Sequence, residues 1–248
     1  MLKILCLGSR IESIQCLEYL VNNFKNIEII GVVPHFLKQD NATQEKFADL
    51  LTQNQIQKFE FNQISGLKYD LGLSLLFDKK VKPIDIDSPK LGFINLHLGP
   101  LPRFKGANSI AYAIKRARKD NNYNFGVTMH YMDHDLDTGP IIDLLDVPIK
   151  LDDCAHDLFK RSSDSILPLF KRNISKILSS KDKVEAFEQD PNIKSYFFKK
   201  KQLNHEIKLS DSPDEIYDSI RALTFKGKPK PYAMIGNFKI YLSLEDKF

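Results

Sequence analysis

Asn95 and His97 stand two residues apart in the short apolar run Phe93-Ile94-Asn95-Leu96-His97. On an extended chain that spacing puts an amide and an imidazole on one face. The next stretch, Leu98 to Gly106, carries two glycines and two prolines. It cannot form a regular helix or strand, so both side chains are expected at a strand end that runs into a shaped loop. Further on, Leu136-Asp137-Thr138-Gly139-Pro140 closes an acidic loop ahead of a second apolar run. An amide can donate to a developing oxyanion, an imidazole can move a proton, and a carboxylate can orient and charge that imidazole. Together they are the parts for acyl transfer to an amine. Taken singly, each has a plainer role: a satisfied core histidine, a capping asparagine, a turn-forming aspartate. His130, Asp133 and His134 invite a metal reading, but the surrounding pattern is a strand and a loop rather than a helix that could present ligands. No metal is expected.

The elements that must hold these groups read as an α/β chain. Leu2 to Leu7 is an apolar strand, Gly8-Ser9-Arg10 a turn, Ile11 to Phe24 an amphipathic helix and Ile27 to Val33 a second strand. That β-α-β opening predicts a parallel sheet with a right-handed crossover. Only one glycine sits in the first turn, so this is not a dinucleotide fingerprint, and no nicotinamide cofactor is expected. A loop over 34–41, a helix from Thr43 to Gln53 capped by Thr43, and a weak strand from Ile56 to Phe61 follow. Tyr69 to Phe77 reads as a strand and Pro83 as a break. A helix should start at Asn108 or Ser109 and end near Lys119. Phe125–Met132 and Ile141–Ile149 read as paired strands. Leu151 to Ser179 reads as one long helix bent at Pro168. Asp214 to Ala222 is a helix, and residues 232–242 form a hairpin around Gly236-Asn237. The expected architecture is a doubly wound, mainly parallel sheet with a small C-terminal helix and hairpin extension. Its chemistry should lie beyond the strand ends, near the topological switch point.

The 248 residues are 42% apolar and 27% charged, ordinary for a soluble globular protein. No run approaches the length of a membrane span, and the start does not read as a signal peptide. Cys6, Cys16 and Cys154 are few and scattered, which fits packing roles in a reducing cytoplasm. The net charge of +4 is uneven: residues 171–248 hold 16 Lys+Arg against 11 Asp+Glu. Such an excess can attract a diphosphate, yet no cluster, the Lys199-Lys200-Lys201 tract included, is dense enough to imply nucleic acid.

The joint pattern N-x-H-x-x-x-L-P-x-x-x-G, beginning at Asn95, and G-V-T-x-H-x-M-D-x-x-x-D-T-G-P, beginning at Gly126, resembles the 10-formyltetrahydrofolate-dependent formyltransferases. The resemblance covers roughly residues 1 to 150. It implies a Rossmann-like formyltransferase fold with Asn95, His97 and Asp137 as the catalytic residues. It also implies 10-formyltetrahydrofolate as co-substrate, edged by Leu75, Leu76 and Phe77 and by the loop residues Met132, Asp133, His134 and Asp135. Only 68 residues follow residue 180, too few for the basic second domain of the transfer-RNA enzyme of this family. The tail resembles that of the compact sugar N-formyltransferases, which act on nucleotide-linked amino sugars such as dTDP-4-amino-4,6-dideoxyhexoses for O-antigen and lipopolysaccharide synthesis. On that likeness residues 1–180 are the catalytic domain. Residues 181–248 then complete the sugar-nucleotide pocket and form a homodimer through their strands. Tyr196, Arg221, Phe225 and Tyr232 become candidates for base stacking and phosphate contact, with Lys79, Arg103 and Lys105 facing anionic substrate. Methionyl-tRNA and glycinamide ribonucleotide formyltransferases, and a non-catalytic module binding folate or sugar nucleotide, are the alternatives.

Overall fold

A computed structural model describes residues 1–34, 41–77, 79–198, 203–245 and 247. The loop expected over 34–41 and the Lys199–Lys201 tract lie largely or wholly outside those residues. In chain order the elements are β1 (Leu2–Leu7), α1 (Ile11–Asn23), β2 (Ile27–Val33), α2 (Asn41–Gln53), β3 (Leu71–Leu75), α3 (Pro83–Ile86), β4 (Phe93–His97), β5 (Phe104–Gly106), α4 (Ser109–Ala117), β6 (Gly126–Tyr131), β7 (Ile141–Asp146), α5 (Ala155–Asp164), α6 (Ile166–Ser179), β8 (Tyr196–Phe198), α7 (Pro213–Leu223), β9 (Tyr232–Ile235) and β10 (Phe238–Tyr241). The chain divides into two compact units whose segments alternate along the sequence. One comprises residues 1–97, 128–144 and 164–191; the other comprises 98–127, 145–163 and 192–248.

In the first unit, continuous apolar runs become strands buried on both faces, as a covered parallel sheet requires. β3 and β4 are buried at every residue. The sheet order is β2-β1-β3-β4-β6-β7, and β1 pairs in parallel with both β2 and β3. Successive crossovers therefore leave β1 in opposite directions, which is the expected topological switch. The turn after β1 is tight: a side chain at Gly8 (φ 127) would come within 2.3 Å of the Leu75 carbonyl oxygen. Ser13 Oγ donates to that same carbonyl at 2.6 Å. β3 pairs in parallel with β4, setting Ser74 beside Asn95. β4 pairs antiparallel with β6, setting Asn95 opposite His130 and His97 opposite Thr128. The mostly parallel sheet with helices agrees with the sequence expectation.

The second unit has its own core of Phe104, Ile110, Ile114, Phe125, Val147 and Leu158, joined by Ala222. β5 and β8 form a two-stranded parallel ribbon, with Phe104 beside Tyr196. Helix α7 starts at a capping box, where Ser212 and Glu215 exchange bonds and Pro213 stands in the first turn. β9 and β10 form the expected hairpin, with Gly236 at φ 59 in its turn.

Several local expectations are corrected. Helix α2 begins at Asn41, so Thr43 lies inside its first turn and is not its cap. Residues 56–61 form no strand. Lys58 makes a single bridge to Val32, and Phe59 fills the space beside Gly31. Pro83 opens the one-turn helix α3, a position its missing N–H tolerates. The long helix is two, broken at Ser165. Pro168 falls in the first turn of α6, because in mid-helix its ring would clash with the preceding turn. β5 and β8 were not legible as strands. The three cysteines are buried, and burial pushes the Cys6 thiol up to about 12.

Candidate active site

The register of β4 carries Asn95 and His97 onto one face at the strand's C-terminal end, each 9% exposed. Asp137 arrives from the loop between β6 and β7 in the left-handed region (φ 57) and is 8% exposed. Its Oδ2 lies 3.7 Å from His97 Nδ1, and its Oδ1 lies 3.7 Å from His130 Nε2. One carboxylate thus stands between two imidazoles. The distance exceeds a hydrogen bond but keeps the charge in range, and such contacts commonly tighten only around a reacting substrate.

His130 settles which way the Asn95 amide faces. Its Nδ1 is 2.8 Å from the Tyr131 carbonyl, which can only accept, so Nδ1 carries the hydrogen. Burial holds the ring neutral, pushing it down to about 4; Asp137 pulls the other way and His97 adds to the push. Nε2 is then an acceptor and takes a hydrogen bond from Asn95 Nδ2 at 3.1 Å. The amide nitrogen is fixed in place, with its second N–H left to serve as donor to an oxyanion. Asp137 Oδ2 faces the Nδ1 side of His97 and can orient that ring. Residues 95, 97 and 137 thus bring an amide, an imidazole and a carboxylate to the C-terminal end of β4.

The loop that carries Asp137 is held on several sides. Thr138 Oγ1 donates to Asp133 Oδ1 at 2.6 Å. Gly139 passes so close to β6 that a side chain there would sit 2.1 Å from the Tyr131 carbonyl. Gln189 Nε2 donates to the carbonyls of both Asp137 (3.0 Å) and Gly139 (2.9 Å). Sequence reasoning missed His130 and Gln189 as parts of the site. His130 was weighed only as a metal ligand, and its place opposite Asn95 follows from strand register. Among the described residues no group of three His, Cys, Asp or Glu is placed to hold a metal.

The other sequence-predicted residues are spread over both units. In the first, Leu75 ends β3, Leu76 turns in the left-handed region (φ 57), and Phe77 packs half-buried with Met132 against a cluster containing Leu5, Leu7 and Phe93. Met132 N–H donates to the Phe93 carbonyl at 2.7 Å. These residues suit a flat heterocycle: two half-buried apolar side chains beside a strand end where the regular ladder stops. Asp133 is bound to Thr138, Asp135 is exposed, and His134 pairs with Asp87 at 2.9 Å on the surface. Lys79 is exposed, 5.6 Å over the Phe61 ring.

In the second unit, Arg103 pairs with Asp120 at 2.9 Å, and Arg116 binds the same carboxylate. Tyr196 stacks on Phe104 (5.7 Å), donates to Asp120 and lies under Arg116 at 4.3 Å. Lys105 sits in β5 beside Phe197. Phe225 packs edge-on to His156 and Phe159, and Tyr232 lies under the Lys239 ammonium at 3.7 Å. Arg221 departs from its expected role. It is fully buried, and its guanidinium is taken up by Asp218 and by the carbonyls of Lys150 and Asp153. It ties α7 to the chain ahead of α5 and does not present itself to a phosphate.

Comparison with known proteins gives this geometry its context. The formyl transferase family profile matches residues 63–174. The N-formyltransferase from Helicobacter canadensis, solved with folinic acid and dTDP-3-aminofucose, is 30% identical with a TM-score of 0.76; the match covers 96% of this chain and 86% of that one. WlaRD, a sugar 3N-formyl transferase solved with dTDP and 5-N-formyl-THF, is 28% identical with a TM-score of 0.78, over 96% and 84% of the two chains. The methionyl-tRNA formyltransferase of Geobacillus sp. (strain WCH70) is 26% identical over 234 residues, 90% of this chain and 72% of that protein. The chain spans half or less of the length of further curated relatives. On the shared fold, the family match and the likeness to the Helicobacter enzyme along nearly the whole chain, this protein is a member of the formyltransferase family of enzymes.

Proposed function

We propose that the chain transfers a formyl group from 10-formyltetrahydrofolate to the amine of a dTDP-linked amino-dideoxy sugar, with Asn95, His97 and Asp137 as the catalytic residues. The observation that carries this reading is the convergence of the Asn95 amide, the His97 imidazole and the Asp137 carboxylate, 3.7 Å from that ring, in a family member. Folate supplies a formyl group already activated for transfer. Asn95 donates to the oxygen as it gains negative charge when the amine attacks; losing one such donor costs roughly 10²–10³ in rate. His97 Nε2 takes the proton that the amine gives up, and Asp137 steadies the imidazolium that results. The tetrahedral adduct collapses by breaking the bond between the formyl carbon and folate N10, which receives that proton and leaves as tetrahydrofolate. Leu75, Leu76, Phe77 and Met132 are proposed to hold the reduced folate, with Asp133, His134 and Asp135 on the adjoining loop. In the second unit Tyr196, Phe225 and Tyr232 offer aromatic faces, and Arg103 and Lys105 cations, for a base and diphosphate; in the first, Lys79 is proposed to meet anionic substrate.

The choice of acceptor is supported by two solved relatives above 25% identity, each captured with a dTDP ligand. Both carry or act on a 3-amino group, so a 3-amino sugar stands beside the 4-amino-4,6-dideoxyglucose type as a candidate. We further propose a catalytic part ending near residue 180 and a C-terminal part that binds sugar nucleotide and pairs two copies through the hairpin. That hairpin exposes Ile235, Phe238 and Tyr241 at 55%, 74% and 62%. A cytoplasmic setting would supply the reduced folate. A second reading, formylation of methionyl-tRNA, is supported by the curated relative that matches 90% of this chain.

The test is release of tetrahydrofolate from 10-formyltetrahydrofolate in the presence of dTDP-3-amino and dTDP-4-amino dideoxy sugars, their UDP and GDP counterparts, and charged initiator transfer RNA. Turnover with a dTDP-amino sugar is expected. Turnover with transfer RNA alone would replace the sugar by RNA, and binding of both ligands without release would make the protein a non-catalytic module.

A further inference from the structure

Gln189 lies about fifty residues beyond the loop it touches, in the stretch after α6. Its side-chain nitrogen forks between two carbonyls, those of Asp137 at 3.0 Å and Gly139 at 2.9 Å. The assignment is not ambiguous, because the opposite amide orientation would set an oxygen against two other oxygens. The cost is visible on the same side chain. Gln189 Oε1 is buried without a hydrogen-bond partner. A buried acceptor left bare destabilises by about 1–3 kcal/mol.

The surroundings show why the turn needs holding. Asp137 is in the left-handed region, which disfavours any side chain but glycine and, to a lesser degree, Asn and Asp. Gly139 lies against the Tyr131 carbonyl with no room for a side chain. The stretch bearing Gln189 is itself anchored. Phe187 and Ile141 exchange backbone hydrogen bonds at 2.8 and 2.9 Å, and Val184 N–H donates to the Tyr131 hydroxyl at 2.9 Å. The clamp is therefore rigid at both ends.

We propose that Gln189 is a positioning residue for the formyl transfer: its forked amide locks the Asp137–Gly139 turn so that the Asp137 carboxylate stays between His97 and His130. The inference rests on the catalytic reading of Asp137 given above. A misplacement of about 1 Å in such a constellation costs on the order of 10²-fold in rate.

The experiment compares wild-type protein with Gln189→Met, which keeps the length without donors, Gln189→Glu, which offers only acceptors, and Glu188→Gln, an exposed neighbour as control. Tetrahydrofolate release is measured over a range of pH with both substrates, beside thermal melting. In Gln189→Met and Gln189→Glu, kcat should fall ten- to a hundredfold while the KM of each substrate stays within about threefold. Glu188→Gln should match wild type. A lowered melting temperature with kcat unchanged would overturn the proposal by reducing Gln189 to a structural contact. Absence of any turnover in the wild type would instead refute the catalytic reading on which it rests.

Discussion

At the scale of single residues, the site depends on hydrogen-bond polarity. His130 presents a lone pair to Asn95 because its other nitrogen donates to a backbone carbonyl and burial keeps the ring uncharged. Protonating it would set N–H against N–H and turn the Asn95 amide. The folded state binds this proton near pH 4, the unfolded chain near 6.5, so between those values the unfolded chain holds more protons. His130 therefore lowers stability as pH falls through that window, by on the order of 3 kcal/mol when the window is crossed. Wild-type protein should lose melting temperature from pH 7 to pH 4.5, and His130→Gln should lose less over the same interval. The half-buried His156 and His205, also pushed down, contribute equally to both proteins and drop out of the difference. An identical pH dependence in the two would show that His130 is not the buried neutral group described here. Arg221 gives a second test at this scale. Its loss leaves Asp218, only 3% exposed, short of its buried partner. Asp218 keeps Arg118 at 2.9 Å, so the cost falls below the roughly 3–5 kcal/mol of a buried charge left wholly unpaired. Arg221→Met should melt well below wild type; an unchanged melting curve would contradict its structural role.

At the scale of elements, some of the site was legible and some was not, for physical reasons. The period of two along a strand placed Asn95 and His97 together before any coordinates, and the Gly-Pro-rich stretch after them marked the strand's end. The Gly236-Asn237 turn gave the hairpin. His130 was not legible as a partner of Asn95, because their adjacency comes from the antiparallel register of β4 and β6, set by the whole sheet. Gln189 was hidden for the same kind of reason: its partners are carbonyls, which carry no sequence signature. Arg221 looks the same in sequence whether it meets a phosphate or Asp218. The expected long helix failed at Ser165 because a proline in a repeating apolar pattern permits either a kink or a fresh start. The turn after β6 yields a prediction here. Gly139→Ala places a carbon against the Tyr131 carbonyl, so the strand–turn junction must move. Turnover should fall at least tenfold in a folded protein, measured by tetrahydrofolate release with a melting curve beside it; wild-type turnover would show that the turn tolerates displacement.

At the scale of the whole molecule, the same sheet order that makes the switch point also gathers the catalytic candidates at the end of β4, and the C-terminal hairpin leaves an apolar surface uncovered. If two copies pair there, Phe238→Asp should convert a dimer into a monomer in light scattering; a monomeric wild type would remove that part of the proposal. The account stands most directly on tetrahydrofolate release with a dTDP-amino sugar acceptor, measured for wild type, Asn95→Ala and His97→Ala. It predicts turnover in the wild type and losses of about 10²–10³-fold or more in both folded variants. Variants that turn over at the wild-type rate would contradict it.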